Sequence, residues 1–152
     1  MRANVVADTS CLIVLDRIDS FSILEQMYGS ILITPVVKAE YGGELPTFVE
    51  VRPVDNPNYE TLLRGVVDPG EASTLALALE VDDPLVILDD RKARGVAKEA
   101  GVPLTGTLGV ILQAKNKGIV SEVAPVLERL MKEGFWLSDE LQSHLLKLAG
   151  EA

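Results

Sequence analysis

Apolar residues fall along this chain in two rhythms. Val5-Val6-Ala7, Ile31-Leu32-Ile33 and Leu85-Val86-Ile87-Leu88 are short, unbroken runs rich in β-branched side chains. Such runs predict strands buried on both faces, as in a parallel sheet. Phe48-Val49-Glu50-Val51-Arg52 alternates instead and predicts an edge strand, ended by Pro53. Val102-Pro103-Leu104-Thr105 predicts a short last strand.

The second rhythm is helical. Asp8-Thr9-Ser10 ends the first strand and opens a buried helix through Cys11-Leu12-Ile13-Val14-Leu15. Asp19-Ser20 restarts a helix that Gly29 closes, and Thr34-Pro35 starts another that stops at Gly42-Gly43. Asn56-Pro57 opens a short polar helix. Asp68-Pro69-Gly70-Glu71 opens the most apolar one, with Ala and Leu on all sides, which predicts burial on several sides. Further helices are expected over 91–100, from Gly106-Thr107-Leu108-Gly109 to Gly118, and over 121–132 and 138–148. Strands alternate with helices through residue 118, which implies a parallel sheet covered on both faces. The expectation is one domain over 1–152, with an α/β core over 1–118 and a helical extension over 119–152.

Composition narrows the chemistry. Hydrophobic residues make up 47% and charged ones 24%, an ordinary globular balance that argues against disorder. The formal charge of -9 argues against sequence-independent DNA binding through a basic surface. It leaves room for a nuclease, because a divalent ion among clustered acids inverts the local field. Cys11 is the only cysteine and His144 the only histidine, so disulfides, cysteine-rich zinc sites, Ser-His-Asp triads and HExxH motifs are excluded. Cys11, in an apolar helix, reads as a buried thiol rather than a nucleophile. Met1-Arg2-Ala3-Asn4 runs straight into the first strand with no room for a signal peptide, and no apolar run approaches a membrane span. A cytoplasmic protein with no membrane contact is expected.

The remaining chemistry is carboxylate chemistry. In a parallel sheet the strand-to-helix turns share one edge, where open α/β sheets bind ligands. Asp8, Asp89 and Asp90 occupy such turns, and Glu40 and Glu71 lie near helix starts. Each has a structural alternative. Asp8 reads equally as a helix cap. Asp68 and Glu71 have capping-box spacing with Pro69 at the first helical position. Glu40 lies too far from Thr34 for a capping box, which leaves a solvated helix surface. One of Asp89 and Asp90 suffices as a cap, and the second adds repulsion unless a cation is present. Hard oxygen donors without histidine or cysteine select Mg²⁺ or Mn²⁺.

These acids, in order, resemble the motifs of the PIN-domain family of metal-dependent ribonucleases, many of them toxins of toxin–antitoxin pairs. Asp8-Thr9-Ser10 is similar to the family's first acidic motif, and Glu40 in Thr34-Pro35-Val36-Val37-Lys38-Ala39-Glu40 to its second. Gly70-Glu71-Ala72 is similar to the third, although many members carry Asp where Glu71 stands. Asp89-Asp90, followed by Arg91-Lys92-Ala93-Arg94, is similar to the fourth, with Asp90 favoured over Asp89. The segment Gly106-Thr107-Leu108-Gly109 and the last two helices resemble a less characterised PIN branch. The resemblance implies a three-layer α/β/α sandwich with a central parallel sheet plus C-terminal helices. It implies catalytic acids Asp8, Glu40, Glu71 and Asp90, and Mg²⁺ or Mn²⁺ held by Asp8, Asp90, Asp89 and Glu71. It also implies an RNA substrate, an antitoxin partner and a homodimer.

Ser10, with Thr9 beside it, is expected to orient Asp8, or simply to start the helix. Lys38, Arg91, Lys92 and Arg94 are candidates for phosphate contacts. Phe135 and Trp136 are expected to pack into the core, or else to anchor the last helix or a partner, and His144 to sit at a boundary. Two other readings compete. One is a catalytically silent module that binds RNA or protein. The other is a haloacid-dehalogenase-like phosphatase with Asp8 as nucleophile, although that class wants a second Asp where Ser10 stands.

Overall fold

At the centre of the molecule lies β1 (Asn4–Ala7), flanked by β2 (Ile31–Ile33) on one side and β4 (Pro84–Ile87) on the other. β3 (Val49–Val51) and β5 (Leu104–Thr105) complete a five-stranded parallel sheet in the order β3-β2-β1-β4-β5. The computed structural model describes residues 4–152. Met1, Arg2 and Ala3, the residues read as leading into the first strand, lie outside the described residues.

β1 pairs in register with β4, Asn4 with Pro84 through Ala7 with Ile87, and pairs with β2 at Val6 and Leu32. The chain therefore leaves β1 in one direction and returns to its other side at β4. A crevice opens at such a reversal, beyond the carboxyl ends of the two strands. The Asp8 N–H donates to the Ile87 carbonyl at 3.2 Å, which holds the two strand ends together one residue past the ladder.

Alternation along each strand feeds two cores. Val5 and Ala7, with Ile31, Ile33 and Ile87, face α1 (Thr9–Arg17), α2 (Ser22–Tyr28), α7 (Thr107–Asn116), α8 (Val123–Lys132) and α9 (Asp139–Leu148). Val6, Leu32, Val86 and Leu88 face α4 (Pro57–Leu63), α5 (Pro69–Glu80) and α6 (Arg91–Glu99). The result is a three-layer α/β/α sandwich. α3 (Pro35–Tyr41) contributes Val37 to the first core and meets both α1 and α5. α5 is buried continuously from Gly70 to Ala78, as its all-round apolar pattern predicts.

Three local expectations are corrected. Asp19-Ser20 does not cap α2: Asp19 has φ +53°, and the Ser20 hydroxyl donates back to the Ile18 carbonyl. The last strand is shorter than expected because Pro103 has no N–H to give the ladder, although its carbonyl accepts from Val86. Trp136 does not pack into the core. Gly134, at φ +91°, ends α8 and releases an extended segment in which Phe135 packs partly inward, Trp136 points out and Leu137 is buried. His144 is exposed on α9. Glu151 ties the chain end to the fold, accepting from the Val123 and Ala124 N–H groups and from Lys115 Nζ.

Candidate active site

The crevice past β1 and β4 has a volume of about 600 Å³, and its wall carries six carboxylates: Asp8, Glu40, Asp68, Glu71, Asp89 and Asp90. Thr9, Ser10 and Ile13 complete it. A second groove, of about 380 Å³ beside α2 and α8, gathers only Asp19 and Glu122, and the Arg129 Nη1 there donates to the Ile18 carbonyl.

Asp8 stands at the N-cap position of α1 with extended backbone, φ -84° and ψ 168°, yet its side chain makes no capping hydrogen bond. It is 5% exposed, and its Oδ1 is buried without a partner. Burial pushes its carboxyl up to about 7. The charges of Glu71, Asp68 and Glu40 add to that shift, while the Thr9 N–H opposes it. An orphaned carboxylate oxygen at a buried strand end is costly.

Glu71 is both a cap and a wall of the crevice. Its N–H donates to Asp68 Oδ1 at 2.8 Å, and its Oε1 accepts from the Asp68 N–H at 3.2 Å, completing the capping box. That exchange engages one Glu71 oxygen. The carboxyl is raised by burial and then by the charges of Asp68, Asp90 and Glu40, against the pull of the Asp68 N–H. The capping geometry and the acidic field thus act on the same residue.

Glu40 is held from two sides. The Thr9 hydroxyl donates to its Oε1 at 2.7 Å. Its carboxylate also lies over Gly70, in the space a Cβ there would need. The seat of the Glu40 carboxylate over the start of α5 depends on that missing side chain, and a buried hydrogen bond between the Thr34 and Ser73 hydroxyls, at 2.6 Å, clamps α3 to α5 nearby.

Adjacent Asp89 and Asp90 have different surroundings. Asp89 Oδ1 accepts from the Thr107 N–H at 2.7 Å, and its Oδ2 accepts from the Thr107 hydroxyl at 2.6 Å and the Ser10 hydroxyl at 3.3 Å. Both its oxygens are engaged in fastening β4 to α1 and α7. Asp90 is exposed and caps α6 through Oδ2 alone, accepting from the Ala93 N–H at 2.9 Å. The hydroxyl of Ser10 therefore supports Asp89 and not Asp8, and Thr9 supports Glu40.

Of the basic candidates, Arg94 is anchored, its Nη1 donating to the Leu88 carbonyl at 2.7 Å. Lys38, Arg91 and Lys92 are exposed on α3 and α6, outside the crevice wall. Two contributors were not singled out from the sequence. Asp68, read only as a cap, raises both Asp8 and Glu71. Thr107 grips Asp89 from 18 residues away. Cys11 is inert here: it is fully buried, and burial pushes its thiol up to about 12.

The donor set is all oxygen, which suits a hard divalent cation. A cation beside the orphaned Asp8 Oδ1 would supply the partner that oxygen lacks and relieve the mutual repulsion of the acids. The fit is one of donor chemistry and charge. Among the described residues, no three Asp, Glu, His or Cys side chains already form a group able to hold an ion.

A family model, DUF3368, described as a PIN domain, matches residues 4–151. No curated protein and no solved structure matches the chain.

Proposed function

The chain belongs to the PIN-domain family, whose fold is of nuclease type, and on that premise we propose that it is a metal-dependent endoribonuclease acting through the acidic crevice. The observation that carries the reading is Asp8, a buried acid with an orphaned oxygen among five further carboxylates. Asp8, Glu71 and Asp90 would hold Mg²⁺ or Mn²⁺, with Asp89 held back by its own hydrogen bonds. When bound, such an ion would supply charge neutralisation at a phosphoryl oxygen and would lower the pKa of a water.

The chain's own residues orient and exclude. Thr9 fixes Glu40 through Oε1, which leaves Oε2 to orient a water or accept its proton. The capping box fixes Glu71 through Oε1 in the same way. Thr107 and Ser10 hold Asp89, and with it the end of β4, against α7. In the same proposal the protein is a cytoplasmic homodimer and the toxin of a toxin–antitoxin pair. Among the described residues no helix is long and apolar enough to cross a membrane. An antitoxin would come from a short neighbouring reading frame with a DNA-binding N-terminus, and co-expression followed by co-purification tests for it.

One observation favours the silent module as a second reading: among the described residues no three acids already form a group able to hold an ion, and Glu71 is partly committed to its cap. Cleavage separates the two. Mg²⁺ or Mn²⁺ should support cleavage of single-stranded RNA, and a chelator should stop it. An intact RNA panel in Mn²⁺, together with no metal binding by calorimetry, would leave only the silent module.

The paired acids give a further prediction. Asp90→Asn should lower Mn²⁺ affinity more than Asp89→Asn. A residue that only supports a ligand costs about 10- to 100-fold, and a ligand at least as much. Calorimetric titration of both variants checks it, and a larger loss at Asp89 refutes the assignment.

A further inference from the structure

Trp136 is the most exposed large apolar side chain among the described residues, at 82%, on the linker between α8 and α9. It lines a groove of about 480 Å³ together with Phe135, Leu141 and Leu108. Asp89 and Arg94 line the same groove, and Asp89 is also part of the acidic crevice wall. Groove and crevice are therefore neighbours that share a residue. Gly106 lets two polar groups of the groove approach the backbone: a Cβ there would come within 2.9 Å of both Arg94 Nη1 and Asp89 Oδ1.

We propose that this groove is a base-binding subsite for single-stranded RNA, in which an unpaired nucleobase stacks on Trp136 and Arg94 meets an adjacent phosphate. The inference rests on the ribonuclease reading of the crevice, although binding in the groove does not require cleavage. Three features favour RNA as occupant. An exposed indole offers a π-face of the kind that single-stranded nucleic acids use, because every base can stack on it. A guanidinium carries five N–H donors, and Arg94 spends Nη1 on the Leu88 carbonyl while lining the groove. Finally, a strand leaving the groove past Asp89 enters the acidic crevice directly. With a net charge of -9, attraction to phosphates cannot supply most of the affinity, so stacking must.

The test uses the full chain, in which Trp136 is the only tryptophan. Its emission therefore reports this groove alone. A short oligoadenylate titrated in the presence of chelator should quench that emission saturably. Fluorescence anisotropy of the labelled oligonucleotide should show Trp136→Ala binding on the order of 10- to 100-fold more weakly, and Trp136→Phe retaining most of the affinity. The dependence of log affinity on log salt should be shallow, about -0.7 for a single phosphate contact. The residue's exposure makes the variants safe to fold, and circular dichroism verifies it.

Oligonucleotide that binds without quenching, or equally well to Trp136→Ala, overturns the subsite while the nuclease reading stands. The same holds if no binding is seen. Emission that instead follows protein concentration, with a dimer lost in Trp136→Ala and no response to oligonucleotide, overturns it in favour of a protein interface. Quenching together with an intact RNA panel in Mn²⁺ and no metal binding by calorimetry supports the subsite and removes the nuclease.

Discussion

Asp8→Asn is expected to make the metal-free protein more stable at pH 8, by up to about 4 kcal/mol. The folded carboxyl titrates at about 7 against an ordinary value of 3.8. Below pH 4 the folded and unfolded chains both hold the proton, and the residue contributes no difference. Between pH 4 and 7 the unfolded chain gives up its proton first, so wild-type stability falls as pH rises, by about 1.4 kcal/mol per unit. Above pH 7 the full penalty persists. Asparagine keeps the shape and carries no charge, so its advantage should appear across that window and vanish near pH 4. Mn²⁺ should close most of that gap at neutral pH, stabilising the wild type by about 2.7 kcal/mol at a hundred times the dissociation constant, and the variant much less.

Urea or thermal melts of both proteins, with chelator and with Mn²⁺, measure this directly. A helix cap behaves differently: Asp8→Ala would cost roughly 0.5–2 kcal/mol at any metal concentration, while Asp8→Asn, which can still cap, would change stability little. The N-cap position of Asp8 without a side-chain capping bond argues against that role. An Asp8→Ala variant clearly less stable in chelator, an Asp8→Asn variant no more stable than wild type, and no metal-induced shift in any of them would sink the acidic-cluster reading.

What the sequence made legible was whatever depends on local periodicity. The unbroken Val5-Val6-Ala7 run marked the central strand, the alternation at 48–52 marked an edge, and the spacing of Asp68, Pro69 and Glu71 marked a capping box that the structure contains. The convergence of the strand-end acids followed from topology alone, since parallel strands put their turns on one side. Partners were not legible. Thr9 reaches Glu40 across 31 residues and Ser10 reaches Asp89 across 79, and both depend on how α1 is rotated over the strand ends. Asp68 was hidden by its own success as a cap, because one oxygen satisfies the helix while the carboxylate still charges the crevice. Trp136 was misjudged because bulk alone suggests a core residue, whereas the extended segment after Gly134 decides its direction.

Gly70→Ala should separate folding from function. Gly70 sits in the first turn of α5 with no positive φ, so alanine is conformationally acceptable and gains about 0.5–1 kcal/mol over glycine in a helix. The obstacle is Glu40. A Cβ at this position would lie 2.9 Å from its Cδ and 3.1 Å from its Oε2, with Oε1 nearer still. Glu40 is exposed and flexible at its end, so it swings aside at little cost to the fold, but its 2.7 Å bond from the Thr9 hydroxyl cannot survive the move. If Glu40 orients the attacking water, a displacement of about 1 Å should lower kcat/KM for RNA by about 10²-fold. Melting curves and cleavage rates of the same preparation read the two effects independently. A stable Gly70→Ala protein with full activity would remove Glu40 from the mechanism. A collapse in stability would instead mean that α3 and α5 cannot part even slightly, and that the Thr34–Ser73 clamp rather than Glu40 sets their spacing.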